Sequence, residues 1–429
     1  MKGAVGAKTW RLEPETEFRL EVDFDQKVTV TLLEGLAEIF GTELALGVPY
    51  VFSGRKIAVF TWQGYGTPSV DYVAEETPMT SYLNTHVALD QMRQAAAMQG
   101  GNGPRVLLLG PPDVGKTTLA KILLSYAIRQ QHQPLYVNLD PTEGSITMPR
   151  SLSATSLTHM LDVEEEFGSS ATTAASLGSS IIPISYFYGH ASPADNTKLY
   201  KILTSNLASA VRGKMAQDAD ARSSGIVIDG PGLVDSVGYE IIAHTMKEFE
   251  VNVVIVLGHE RLFSDMVKNH SQQSDISVIK LSKSGGVVER DSEYREKLES
   301  REIHDYFYGT SRFELSPYSL LVNFDDLAIY QIGQSNMAPS SALPIGMDRH
   351  ITETQITKIE PSYSLSHSIL GLSNAERDEE AHLVSSNLAG FVYVSAVDEI
   401  KRKVTILSPA PGRLPKKYLI MGSFKWLEP

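Results

Sequence analysis

The segment Gly110-Pro-Pro-Asp-Val-Gly-Lys-Thr-Thr118 constrains this chain more than any other. It has the form G-x-x-x-x-G-K-T, follows the apolar run Val106 to Leu109 and opens a helical stretch, Thr118 to Ala127. Glycines let the backbone curl until successive N–H groups face one point, and the helix N-terminus adds partial positive charge, so such a loop cradles phosphate oxygens. A ligand-free Gly-rich turn is the bland alternative, and it leaves a lysine at the helix start unexplained. Gly110, Asp113, Val114, Gly115, Lys116, Thr117 and Thr118 are therefore the expected nucleotide-binding residues. Lys116 is expected to bridge the β- and γ-phosphates of ATP and Thr117 to ligate Mg²⁺.

The loop sits in a pattern that repeats. Short apolar runs at Val106 to Leu109, Leu135 to Leu139, Ile226 to Ile228 and Val251 to Leu257 alternate with helical segments such as Tyr239 to Phe249. That alternation predicts an α/β unit with a parallel sheet covered on both faces. Before it, from Glu17 to Trp62, apolar residues recur with period two between turn signals at Asp25-Gln26, Gly41, Gly47-Pro49 and Gly64-Gly66, which predicts a small β domain. A helix over Tyr82 to Met98 then runs into Gly100-Gly101-Asn102-Gly103-Pro104, a boundary signal. After Pro317 the period of two returns at Leu320/Val322, Leu327/Ile329, Phe391 to Val394 and Val404 to Leu407. The expected architecture is three domains: 1–97, N-terminal and β-sandwich-like; 98–315, a P-loop NTPase parallel sheet; and 316–429, a C-terminal mixed β domain. Gly168 to Ser180 and Asn336 to Ser341 read as loop and polar insertion.

Composition narrows the function classes. The chain has no cysteine, which excludes disulfides, thiolate zinc sites and a cysteine nucleophile and fits a reducing compartment. A formal charge of −13 over 429 residues repels polyanions, so contact with RNA needs a local basic groove, whereas a basic protein partner suits the field. No signal-peptide core opens the chain and its apolar runs are too short to span a bilayer, so neither secretion nor membrane insertion is expected.

Two acids end core strands, where ligands of open α/β sheets gather. Asp229, in IVIDGPG, has the Walker B form and is the expected second metal-site residue, holding a magnesium-bound water. Asp140 is placed to accept a proton from an attacking hydroxyl. For each the alternative is an aspartate that caps its own loop. Arg290 and Arg295 follow Lys283-Ser-Gly-Gly-Val-Val-Glu289; this run reads either as a solvated helix or as a lid whose arginines stabilise transferring phosphate. His190, in Gly189-His-Ala-Ser-Pro193, is more often a hydrogen-bonded structural residue than a base. A guanine reader of the N-K-x-D type is absent after Leu257, where Gly258-His259-Glu260 stands, so adenine is the expected base.

At these residues the chain resembles the polynucleotide 5′-hydroxyl kinase family in its eukaryotic, Clp-type branch, the subunit of pre-mRNA cleavage factor IA. The marks are LAEIFGTEL (36–44), IAVFTW (57–62), LNTHVALDQMR (83–93), GPPDVGKTT, FYGHASPADNTKLY (187–200), KSGGVVER, REIHDYFYG and LSPAPGRLP. The resemblance implies a nuclear protein of mRNA 3′-end cleavage and polyadenylation, with the polymerase-tail-binding subunit and other 3′-end processing factors as partners. It also implies that Glu17 and Lys56, from the N-terminal domain, flank the nucleotide base. Members that phosphorylate RNA have D-V-G-Q-G where this chain has Asp140-Pro-Thr-Glu-Gly144, and a tryptophan where it has Leu233. An absent stacking platform and an added carboxylate both weaken RNA binding more than ATP binding.

Two functions compete on this basis. One is an ATP-binding subunit in which ATP and Mg²⁺ fix the docking conformation. The other is an RNA 5′-hydroxyl kinase using Asp140, Lys116, Arg290 and Arg295. A P-loop ATPase or GTPase switch is the third, blander option.

Overall fold

The computed structural model describes residues 8–63, 73–74, 76–144, 146–165, 167, 183–271, 275–310, 312–333, 356–414 and 418–428. The turn signal at Gly64-Gly66, the loop Gly168 to Ser180 and the insertion Asn336 to Ser341 lie outside the described residues.

Period-two patterning produces the N-terminal strands β1 (Thr16–Val22), β2 (Val28–Thr31), β3 (Glu38–Ile39), β4 (Thr42–Glu43), β5 (Pro49–Phe52), β6 (Arg55–Thr61) and β7 (Val73–Ala74). The sheet order is β4-β3-β6-β1-β7, with β2 and β5 paired separately. Antiparallel register sets Phe18 opposite Val59 and Leu20 opposite Ile57. Phe18, Val22, Ile39, Phe52, Ile57 and Val59 form the core between the two layers.

The central unit runs α1 (Met79–Gln99), β8 (Arg105–Leu109), α2 (Lys116–Arg129), β9 (Leu135–Asn138), β10 (Ser151–Ser156), β11 (Ile184–Phe187), α3 (Thr197–Gln217), α4 (Ala219–Ser224), β12 (Ile226–Asp229), α5 (Ser236–Glu248), β13 (Val253–Leu257), α6 (Glu260–His270), β14 (Ser277–Leu281) and α7 (Ser292–Tyr308). Its sheet order is β11-β10-β9-β12-β8-β13-β14. The five strands β9, β12, β8, β13 and β14 are mutually parallel, the first four being the expected apolar runs, while β10 and β11 extend the edge antiparallel. Alternate residues of each core strand face opposite layers: Val106, Leu108, Val253 and Ile255 pack with α1 and α2, whereas Leu107, Leu109, Val254 and Val256 pack with α3 and α5. A strand buried on both faces needs an unbroken apolar run, and that is why these strands carry one.

Helix α1, counted with the first domain on sequence grounds, packs on the central one. Its Met79, Tyr82 and Leu89 share a core with Leu119 and Ile122 of α2, and buried Arg93 donates from Nε to the Ser224 carbonyl at 3.0 Å.

The C-terminal domain contains β15 (Tyr318–Asn323), β16 (Ile329–Ile332), β17 (Ile356–Ile359), β18 (Ser368–Ser373), α8 (Glu380–Ser385), β19 (Leu388–Asp398), β20 (Lys403–Ser408) and β21 (Leu419–Lys425). The sheet order is β15-β20-β19-β18-β21-β16-β17, antiparallel except for the β16/β21 pair. Val392, Val394, Val404 and Ile406 form its own core, while Ile369, Phe391, Tyr393 and Ile420 face the central domain and join that core. Two glycines permit this contact: a Cβ on Gly422 would lie 2.6 Å from the Gly189 Cα. The Ser423 amide donates to the Gly189 carbonyl at 2.8 Å.

Helix α7 touches all three domains. Arg301 donates to the Ser53 and Gly54 carbonyls of the first at 2.8 and 3.1 Å, and Glu299 forms a two-pronged ion pair with Arg150 of the second. The Tyr306 hydroxyl accepts from the Phe391 amide of the third at 3.0 Å, and Trp426 Nε1 donates to Ser300 Oγ at 3.0 Å. Among the described residues no helix is long and apolar enough to cross a membrane.

His86 is 6% exposed, between α1 and α2, its ring 5.4 Å from that of Tyr126. Burial, helped by the Arg93 charge, pushes its pKa from 6.5 down to about 4. The unfolded chain takes up this proton near the ordinary value and the folded chain resists it, so the contribution is complete above the ordinary value and declines as pH falls toward about 4. A His86→Leu variant should therefore lose less stability than the parent over that window, by up to roughly 3 kcal/mol. Thermal unfolding at a series of pH values checks this; parallel curves for the two proteins reject it.

Candidate functional site

The P-loop joins β8 to α2 under tight steric terms. A Cβ on Gly110 would lie 2.6 Å from the Leu257 carbonyl oxygen of β13 and 2.9 Å from Val114 Cγ2. Gly115, at the N-cap of α2, has φ +89°, and Asp113 sits at φ +56°. Left-handed residues alternating with right-handed ones turn backbone N–H groups inward, the geometry of an anion nest.

The loop borders a cavity of about 910 Å³ lined by the N-terminal and central domains. Asp113, Gly115, Lys116, Thr117 and Thr118 line it from the P-loop, Asp140 and Glu143 from the turn after β9, Arg290 and Arg295 from the start of α7, and Glu17 and Lys56 from the N-terminal domain. Gly110 and Val114 instead shape the loop from behind, with Val114 only 4% exposed.

Lys116 is buried, and its ammonium donates to the Pro111 carbonyl at 3.1 Å. Thr117 Oγ1 donates to Asp229 Oδ2 at 2.6 Å. Asp229 Oδ1 is buried without a hydrogen-bond partner among the described residues. Burial pushes the Asp229 carboxyl up to about 7, and the Asp140 and Glu143 carboxylates add to the rise against the pull of Lys116 and the Thr117 hydroxyl. Such a carboxylate, orphaned beside a hydroxyl and short of positive charge, fits a hard divalent cation whose other ligands are phosphate and water. Among the described residues no group of three or more acidic or histidine side chains converges as a free-standing metal cage.

Asp140 Oδ1 accepts from the Thr142 amide at 3.0 Å and the Thr142 hydroxyl at 2.7 Å, so it caps its own turn as well as lining the cavity. The run before Arg290 is not helical. Helix α7 begins only after its N-cap Asp291, with Arg290 ahead of the cap and Arg295 in the first turn. Of the run 283–295, the stretch after its glycine entry is helical only from Ser292 on: adjacent glycines give no helical drive, and the helix waits for the aspartate cap.

Both arginines turn to the P-loop. Arg290 donates to Asp113 from Nε at 2.7 Å and from its amide at 3.1 Å, and reaches Glu143 from Nη2 at 2.7 Å; Arg295 also pairs with Asp113. Burial alone would raise the Asp113 carboxyl, but the Arg290 hydrogen bonds and both guanidinium charges hold it below the ordinary carboxylate value. Burial opposes the Arg290 charge, and Glu143 with Asp113 outweighs it and raises that group. Val287 closes over the same loop, since a Cβ on Gly115 would lie 3.0 Å from its Cγ2.

Glu17 and Lys56, expected beside the base, are themselves engaged. Buried Glu17 accepts from Arg19 Nε at 2.6 Å, Thr77 at 3.1 Å and Ser284 at 3.5 Å, which ties β1 to the 283–290 segment. Lys56 pairs with Glu21 at 3.1 Å and holds its ammonium 5.1 Å from the centre of the Tyr294 ring. Leu233 lines the cavity. His190 does not: it is buried against the C-terminal domain, with Nδ1 3.3 Å from Ser423 Oγ. Residues that the sequence reading missed include Arg19, Tyr294, Arg301 and Lys121. Only Lys121 carried a signal, a single lysine inside the apolar face of α2; its ammonium lies 5.5 Å from Phe167 and 5.8 Å from Phe40.

Gly110→Ala should destabilise the protein by about 1–3 kcal/mol through the Leu257 contact. Gly213→Ala in α3, where an added Cβ meets nothing within 4 Å, should stabilise it by about 0.5–1 kcal/mol. Thermal unfolding of the pair checks both signs, and a neutral Gly110→Ala would refute the packing.

Comparison with known proteins covers all three domains. The family described as the N-terminal beta-sandwich domain of polyadenylation factor matches residues 11–96, the mRNA cleavage and polyadenylation factor CLP1 P-loop matches 110–309, and the pre-mRNA cleavage complex II protein Clp1 matches 315–428. The chain is 41% identical to the mRNA cleavage and polyadenylation factor clp1 of Botryotinia fuckeliana over 96% of its length and 92% of that protein's. It is 39% identical to the polyribonucleotide 5′-hydroxyl-kinase Clp1 of Rattus norvegicus over 98% of its length and 96% of that protein's. A solved structure described as the extended interface between Pcf11p and Clp1p, with the basis for ATP loss in a point mutant, superposes with a TM-score of 0.89 at 27% identity. That match covers 99% of this chain and 100% of the other.

Proposed function

The chain belongs to the Clp1 family of mRNA cleavage and polyadenylation factors, and from that premise we propose that it is a nuclear ATP-binding subunit of the pre-mRNA 3′-end processing machinery. In this reading bound ATP and Mg²⁺ hold the conformation that docks partner subunits. The observation that carries it is the shape of the cavity: its walls come from the N-terminal domain, the P-loop and α7, so a ligand there would add contacts to each of these parts at once. A ligand that binds only the closed arrangement stabilises it by mass action.

Lys116 and the amides of Gly115 to Thr118 would hold the phosphates, Thr117 and Asp229 the Mg²⁺, and Glu17 and Lys56 the base side. The cation, when bound, would neutralise phosphate charge. Asp113, paired with Arg290 and Arg295, keeps the 283–290 segment down on the P-loop. Glu165, Glu302 and Asp305 line the cavity beyond the P-loop, and Leu233 offers no aromatic face, which supports weak contact with RNA. Related solved complexes pair Clp1p with Pcf11p, and we extend that to this chain as its partner, the polymerase-tail-binding subunit.

A second reading, RNA 5′-hydroxyl kinase, is supported by Asp140, Lys116, Arg290 and Arg295 lining one cavity and by the mammalian relatives. There Asp140 would accept the hydroxyl proton. Label from γ-phosphate on a 5′-hydroxyl oligonucleotide, lost in Asp140→Ala, would establish it.

Nucleotide released from the purified protein separates the two: intact ATP fits the docking ligand and ADP fits turnover. Lys116→Ala should carry no nucleotide and weaken assembly with the Pcf11-type partner by about tenfold or more. Full assembly by demonstrably nucleotide-free Lys116→Ala protein would refute the docking role.

A further inference from the structure

Glu143 is held from behind and in front. Its carbonyl accepts from Asn138 Nδ2 at 2.6 Å, which fixes the turn after β9, and its carboxylate meets Arg290 Nη2 at 2.7 Å. Arg290 is at the same time gripped by Asp113 through side chain and backbone. Arg290 and Arg295 with Asp113 and Glu143 therefore make a group with no net charge, and the acids are the more deeply buried members: their side chains are 7% and 17% exposed, against 23% and 38% for the arginines.

An arginine stabilises a transferring phosphoryl group only if its charge is free to face it. Here two carboxylates compete for that charge at hydrogen-bond distance in a partly desolvated site, where electrostatic competition is strong. Glutamine at 143 would keep length and an acceptor oxygen while leaving the group one positive charge in excess.

We propose that Glu143 is a positioning residue: with Asp113 it holds Arg290 in a charge-neutral clasp that keeps the arginine off the terminal phosphate, so that ATP is retained rather than consumed. This rests on the reading of ATP as a retained ligand. Once the clasp is loosened, a hydroxyl oxygen of water or of a 5′ end can bond to the γ-phosphorus. The bond to the β–γ bridging oxygen then breaks with its electron pair going to ADP, and the hydroxyl proton passes to Asp140.

The test compares full-length wild type, Glu143→Gln, Glu143→Asp, Arg290→Ala and the Glu143→Gln/Arg290→Ala pair. In nucleotide-free protein, amide hydrogen exchange across 283–291 should quicken in Glu143→Gln. With ATP and Mg²⁺, conversion to ADP or transfer to a 5′-hydroxyl oligonucleotide should rise about tenfold or more in kcat with little change in KM. Glu143→Asp, which keeps the charge, should move both readouts back toward wild type, and the pair should show no gain over Arg290→Ala. Wild-type exchange and turnover in Glu143→Gln, or an equal gain with Arg290 absent, overturns the proposal. If glutamine prevents folding, Glu143→Ala takes its place under the same criteria. Wild-type protein isolated with ADP would overturn the retained-ligand reading, while the variant-to-wild-type ratio still decides the clasp by itself.

Discussion

Asp113 is the point on which this molecule closes. It lies inside the P-loop in a left-handed conformation and receives the side chain and amide of Arg290 and the side chain of Arg295. One carboxylate thus fastens the phosphate loop to the first turn of α7, and α7 carries the connection onward to the other two domains. Loss of Arg290 would leave the Asp113 carboxylate, 7% exposed, short of counter-charge, a larger penalty than the loss of an exposed pair.

The central domain was readable because physics writes it plainly. A strand covered on both faces must be apolar throughout, and a phosphate loop must have its glycines and lysine, so β8, β9, β12, β13 and the start of α2 stood out. The antiparallel edge did not. Strand β10 is Ser-Leu-Ser-Ala-Thr-Ser, buried although four of its six side chains carry hydroxyls, and no periodicity rule marks such a segment as sheet. Short β14, Ser-Val-Ile-Lys-Leu, is masked in the same way by its ends.

Within the site, residue types were legible and their pairings were not. Glu143 read as a repulsive charge because the arginine that neutralises it lies 147 positions along the chain. The 283–290 segment read equally as helix or lid, since nothing in it announces that Asp291 delays the helix or that Asp113 holds both arginines. Glu17 and Lys56 came from family resemblance; the structure adds that each is pinned by a neighbour two residues away or across the strand pair, Arg19 and Glu21. Tertiary partners of this kind are set by topology, which local sequence does not encode.

The seating of Trp426 on α7 has an optical consequence. Its indole lies 6.2 Å from the Phe307 ring and donates to Ser300, whereas the other two tryptophans, Trp10 and Trp62, belong to the N-terminal segment. Indole emission follows the polarity around the ring, so a chain in which only Trp426 is retained carries an intrinsic gauge of how firmly the last domain grips the helix beside the phosphate loop. Light absorbed at one end of that helix would report what happens at the other, with no label attached.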